Sequence, residues 1–188
     1  ILNGTTNYIL SKMEKEGADF DTVLKEAQDK GYAERNPEAD VEGHDACRKI
    51  AILSSLMFGK NVDSGKIPTE GITKITAADF AYANATDHTI KLLGRSRAID
   101  DNTAEVMVAP FLLPREHPLA MVDGVFNAVF VTGNMLGDSM YYGRGAGKLP
   151  TASAVVSDVI DCARHQGKVI MCFWDKEEVK LADIGEAG

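Results

Sequence analysis

Asp45 and Lys49 stand four residues apart at the start of an apolar helical run, and Glu34, Glu38, Asp40 and Glu42 precede them in a loop broken by Pro37 and Gly43. A spacing of four puts a carboxylate and an amine on one helix face, where they can meet. One reading is an exposed ion pair, which contributes only about a few tenths of a kcal/mol. The other follows from the apolar residues Ile50, Ala51, Ile52, Leu53, Leu56 and Met57, which would pin the first helical turn against a core. A partly desolvated lysine among carboxylates can hold or donate a proton. Glu34 and Asp40 are similarly open: a solvated acidic loop, or two converging acceptors for a small cation such as an α-amino group. His44 has no evident partner and reads as a surface or cap residue. The acids lack the D-x-[DN]-x-[DN]-G spacing of a calcium loop, so no metal site is expected.

A second candidate is the glycine-rich stretch from Gly143 to Gly147, ahead of a helical pattern. Backbone N–H groups at a helix start attract anions. It is not a phosphate-binding P-loop, because Tyr142 stands where a glycine is required and Leu149 follows Lys148. Nor is it a dinucleotide fingerprint, since Lys148 occupies the third glycine position. Tight backbone packing and close approach to a flat or charged ligand both remain open.

The elements that must position these residues can be read from periodicity. Gly4, Thr5 and Thr6 offer a turn and an N-cap, followed by a helix that Gly17 stops. A second helix begins at Asp21, with Gly31 as its C′ residue, and a third covers 45–58, apolar nearly all round and expected deep in the core. A short helix at 77–85 precedes strand chemistry at 89–98, 104–113, 122–132 and 139–142, and 151–165 is a last helix. Helices, then consecutive strands, then a helix predict an α+β fold: an antiparallel or mixed β-sheet with helices packed on one face. The strands at 104–113 and 122–132 are apolar on both faces, as suits a sheet with helices on one side and a second subunit on the other.

The 188 residues suffice for one sizeable core, and 45% hydrophobic with 26% charged residues is ordinary for a cytoplasmic globular protein. A formal net charge of -8 argues against nucleic-acid or anionic-membrane partners, which want a basic face. No apolar run reaches membrane-spanning length. Cys47, Cys162 and Cys172 show no C-x-x-C spacing and read as buried, reduced thiols. Ile1-Leu2-Asn3-Gly4 reads as the last step of a strand entering a helix, so a piece of a longer polypeptide is expected, with 1–182 a folded domain and 183–188 a linker or tail.

Several of these motifs occur together and in order. Gly4-Thr5-Thr6-Asn7-Tyr8-Ile9-Leu10, then Ala27 to Glu34, Asn36-Pro37, Asp40 to Ala46, Lys49, and Gly145-Ala146-Gly147 with Pro150-Thr151-Ala152 closely resemble the substrate-binding catalytic domain of homoserine dehydrogenases. That family interconverts L-aspartate 4-semialdehyde and L-homoserine with NADPH or NADH, on the route to threonine, methionine and isoleucine. The resemblance implies that Lys49 is the acid/base and that Glu34 and Asp45 hold the substrate and its associated water. It places Asp40 near the substrate amino group, Thr5 and Tyr32 along the pocket, and Gly147 in backbone contact with the nicotinamide cofactor. It further implies a homodimer formed through the sheet, and an NADP or NAD site built mainly by a domain absent from this chain. A purely structural dimerisation module without a ligand is the competing reading. It predicts that the acidic loop is dispensable.

Overall fold

The computed structural model describes residues 1–169 and 175–183. Its elements are α1 (Gly4–Glu16), α2 (Phe20–Asp29), α3 (Glu38–Val41), α4 (His44–Phe58), α5 (Ala77–Ala85), β1 (His88–Ala98), β2 (Thr103–Pro114), β3 (Phe126–Gly133), β4 (Gly137–Arg144), α6 (Lys148–Arg164) and β5 (Lys180–Leu181). The fold is α+β, as the order of patterns predicts. The strands form two sheets: β1 and β2 pair antiparallel with β5 parallel at the β2 edge, and β3 and β4 form a separate antiparallel hairpin. Alternation along a strand sets which face is buried but not which neighbour it pairs with, so the split was beyond the pattern.

Ile90 and Leu92 of β1 join the main core with Ile9, Leu10 and Met13 of α1, Ile50 of α4 and Phe80 of α5. Burying each such side chain stabilises the fold by roughly 1.5–3 kcal/mol. Leu93 and Leu113 join a smaller core with Leu119, Val122 and Ala128. The first sheet is thus covered by helices on one side and by the 117–128 region on the other.

Helix α1 is held at its N-terminus and along its length, which matters because its N-terminus carries the site. Ile1 and Ala128 exchange backbone hydrogen bonds of 2.8 and 2.9 Å, so the residues before the helix do extend the hairpin like a strand. In mid-helix, Asn7 Nδ2 donates to the carbonyls of Val122, Gly124 and Phe126. Lys91, only 1% exposed, donates to Val122 O at 2.8 Å and Asp123 Oδ1 at 3.0 Å. Burial by itself would raise the Asp123 carboxyl, but hydrogen bonds from Lys15 and Lys91 hold it below the usual carboxylate range.

Three expectations require correction. The N-cap of α1 is Asn3, whose side chain accepts from Thr6 N–H, rather than Thr5 or Thr6. Helix α4 buries one face, through Ala46, Cys47, Ile50, Ala51, Ser54 and Ser55, while Ile52, Leu56 and Met57 are 60%, 61% and 54% exposed. An all-apolar helix needs cover on every side, and the described residues supply it on one. Helix α6 starts at Lys148, three residues before the expected position, and buries nothing, so Cys162 is exposed. Cys47 is buried as expected; Cys172 and all of 183–188 except Asp183 lie outside the described residues. No helix among the described residues is long and apolar enough to cross a membrane.

Candidate active site

The site forms where three chain segments meet: the N-terminus of α1, the turn after α2, and the corner between α3 and α4. Asn3 sits at the centre and is almost fully buried. Its Oδ1 caps α1 by accepting from Thr6 N at 2.9 Å, which fixes the amide plane. Its Nδ2 then donates to Asp40 Oδ1 at 2.7 Å and Asp45 Oδ2 at 2.9 Å. Lys49 Nζ donates to the same Asp45 oxygen at 2.6 Å and to Leu2 O at 3.0 Å. Four groups from three elements are therefore linked in one chain of hydrogen bonds, with the lysine at its outer end. The Lys49 side chain is 48% exposed, so the pair contributes little to stability and stays reachable from solvent.

The corner carrying Asp40 and Asp45 is itself anchored. Residues 68–72 run beside β2, with Val108 N donating to Pro68 O at 3.0 Å and Glu70 N to Val108 O at 2.8 Å. Ile72 N then donates to Val41 O at 2.8 Å, tying α3 to that strand-like segment. Gly71 lies so close to α3 that a Cβ on it would stand 2.1 Å from Val41 O.

Thr5 and Tyr32 close the neighbouring side. Thr5 Oγ1 donates to Tyr32 O at 2.7 Å, and the Tyr32 ring packs edge-on against Tyr8, with centroids 5.0 Å apart. Tyr8 Oη donates to Glu26 Oε1 at 2.8 Å, and Lys30 donates to both Tyr8 and Glu26. Those bonds, from Lys30 first and Tyr8 second, hold the Glu26 carboxyl down at about 2. Glu26 thereby anchors the aromatic pair as a charged acceptor.

The remaining candidates sit less centrally. Glu34 is exposed, and among the described residues only its backbone carbonyl is engaged, by Gln28 Nε2 at 3.0 Å. His44 is exposed in the first turn of α4. Gly147 caps α6 with φ of +115°, a conformation that side chains rarely adopt, and a Cβ there would meet only Pro150 Cδ at 3.7 Å. The backbone at that turn is open to close approach.

Asn3 was missed in the sequence. As an N-cap candidate it had a weak signal, but its contacts reach 37 and 42 residues along the chain, which no local pattern encodes.

The sequence profile of the homoserine dehydrogenase family matches residues 1–160. The chain belongs to the homoserine dehydrogenase family. It is 56% identical over 164 residues to the homoserine dehydrogenase of Synechocystis, covering 86% of this chain and 38% of that protein. With the Bacillus subtilis homoserine dehydrogenase it shares 50% identity over 160 residues, 85% of this chain and 37% of that one. The crystal structure of a homoserine dehydrogenase from Thiobacillus denitrificans superposes with a TM-score of 0.90 at 44% identity, covering 97% of this chain and 44% of that one. A hyperthermophilic archaeal homoserine dehydrogenase in complex with NADPH gives a TM-score of 0.70 at 27% identity, over 90% of this chain and 48% of that one. The chain thus spans less than half the length of each of these relatives, and the cluster around Asn3 lies inside the matched region.

Proposed function

We propose that this chain is the substrate-binding catalytic part of a cytoplasmic enzyme that interconverts L-aspartate 4-semialdehyde and L-homoserine, feeding threonine, methionine and isoleucine synthesis. The observation that carries this reading is the placement of Lys49 Nζ on Asp45, with Asp40 joined to the same cluster through Asn3. An amino-acid aldehyde brings an ammonium, which two carboxylates would hold, and a carbonyl oxygen, which needs a proton donor as carbon is reduced. In this reading Asp40 and Asp45 bind the ammonium side, with Glu34 reaching in from the rim. Lys49 donates to the carbonyl oxygen in the reductive direction and accepts the hydroxyl proton in reverse. Thr5 and Tyr32 wall the pocket.

NADPH or NADH, when bound, supplies the hydride. The open backbone at Gly147 suits one contact to it, with the rest of the nucleotide held by a domain outside residues 1–188. We assign the second subunit of a homodimer to the apolar surface left on the hairpin and α6, where Val131, Tyr141, Val155 and Val159 are exposed.

The test compares this chain with the complete polypeptide. The complete enzyme is expected to form a dimer by light scattering and to reduce NADP⁺ or NAD⁺ when given L-homoserine. The chain alone is expected to fold, by circular dichroism, without turnover, because most of the cofactor surface is missing. Steady turnover by the isolated chain would refute that division of labour.

A further inference from the structure

The structure assigns Asn3 as a positioning residue: its one amide both caps α1 and bridges Asp40 to Asp45, setting the carboxylate that holds Lys49. This rests on the reading of the site as an amino-acid dehydrogenase centre. Each amide hydrogen is committed to a different carboxylate, while the amide oxygen is committed to Thr6 N–H and Thr6 Oγ1. The side chain therefore has no freedom to turn, and it is nearly fully buried.

Two carboxylates that share one neutral donor can sit near each other without a cation between them. The bridge also sorts their oxygens. Asp40 Oδ1 and Asp45 Oδ2 face Asn3, whereas Asp40 Oδ2 and Asp45 Oδ1 take no hydrogen bond among the described residues. Those two oxygens are left to accept from a ligand's ammonium group. Because Lys49 and Asn3 share Asp45 Oδ2, the amide also limits where the lysine amine can rest. Asn3 acts on the reaction through these neighbours and needs no contact with the substrate.

Capping and bridging can be separated by substitution. Aspartate and serine both cap helices well, so Asn3→Asp and Asn3→Ser keep the acceptor for Thr6 N–H. Neither can donate to two carboxylates at once. In the complete enzyme Asn3→Ser is expected to melt near the wild-type temperature, and Asn3→Asp to do so at acidic pH, where its carboxyl is protonated, but lower at neutral pH. A misplaced catalytic group costs on the order of 10²-fold, so kcat/KM for L-homoserine should fall by about that factor. The titratable groups around the introduced carboxyl are Asp40 from α3 and Asp45 from α4, with Lys49 beyond Asp45. Two flanking carboxylates keep the introduced carboxyl protonated to higher pH, where it can donate one hydrogen bond. Activity of Asn3→Asp relative to wild type should therefore rise as pH falls, a signature absent from Asn3→Ser.

Folded variants with wild-type kcat/KM and a superposable pH profile would overturn the bridge and leave the enzyme reading standing. Loss of folding in both would make Asn3 a structural cap only and overturn it too. A wild-type enzyme that fails to oxidise L-homoserine would overturn both proposals together.

Discussion

Lys49→Ala in the complete enzyme is expected to lower kcat for L-homoserine oxidation by about 10²–10⁴-fold, the range supplied by a positioned general acid or base. KM should change much less. The reason lies in where the amine is held. Asp45 Oδ2 and Leu2 O both accept from Lys49 Nζ, at 2.6 and 3.0 Å, so the amine is tethered beside the carboxylate cluster. A substrate oxygen brought beside it gains its strongest interaction as charge develops during hydride transfer, which is an effect on kcat. Asp40 and Asp45, to which the proposed reading assigns the ammonium side, stay in place through Asn3 when the lysine is cut back. Stability should barely move, because the ion pair is substantially exposed. Steady-state kinetics separate the two roles: a large rise in KM with kcat preserved would make Lys49 a binding residue only.

Gly71→Ala is expected to produce the largest structural effect, a loss of about 3 kcal/mol or more, with activity falling alongside. The added methyl carbon would lie 2.1 Å from Val41 O, 2.4 Å from Glu42 Cα and 2.8 Å from Glu42 C. All three are backbone atoms, so no rotamer change relieves the clash. The chain must part where Ile72 N donates to Val41 O, and with it the end of α3 moves. Asp40 lies just before that point and Asp45 just after it, so the carboxylates are displaced together. Thermal melting of wild type and variant checks this. A melting temperature within about 2 °C of wild type would show that the corner yields cheaply.

Much of the site's framework was legible before any coordinates. The four-residue spacing of Asp45 and Lys49, the apolar run that follows, and Gly31 and Gly59 as helix stops placed α2 and α4 to within about two residues, the usual uncertainty of helix ends. Strand chemistry located β1 and β2 equally well. What failed was information carried between elements. Asn3 looks like one of several possible caps until α3 and α4 are folded against it. The separate hairpin of β3 and β4 could not be told from a continuation of the first sheet, since alternation is the same in either. The exposed side of α4 has the composition of a core helix, and composition does not say whether its cover lies within this chain. The charge of Lys91 likewise suggests solvent, yet Val122 O and Asp123 hold it inside.

The most direct measurement is a crystal structure of the complete enzyme with L-homoserine bound. The expected complex has the ligand ammonium within about 3.2 Å of carboxylate oxygens of Asp40 and Asp45, and its hydroxyl oxygen at a similar distance from Lys49 Nζ. A ligand seated elsewhere, or a Lys49 amine turned out to solvent beyond reach of that oxygen, would contradict the account.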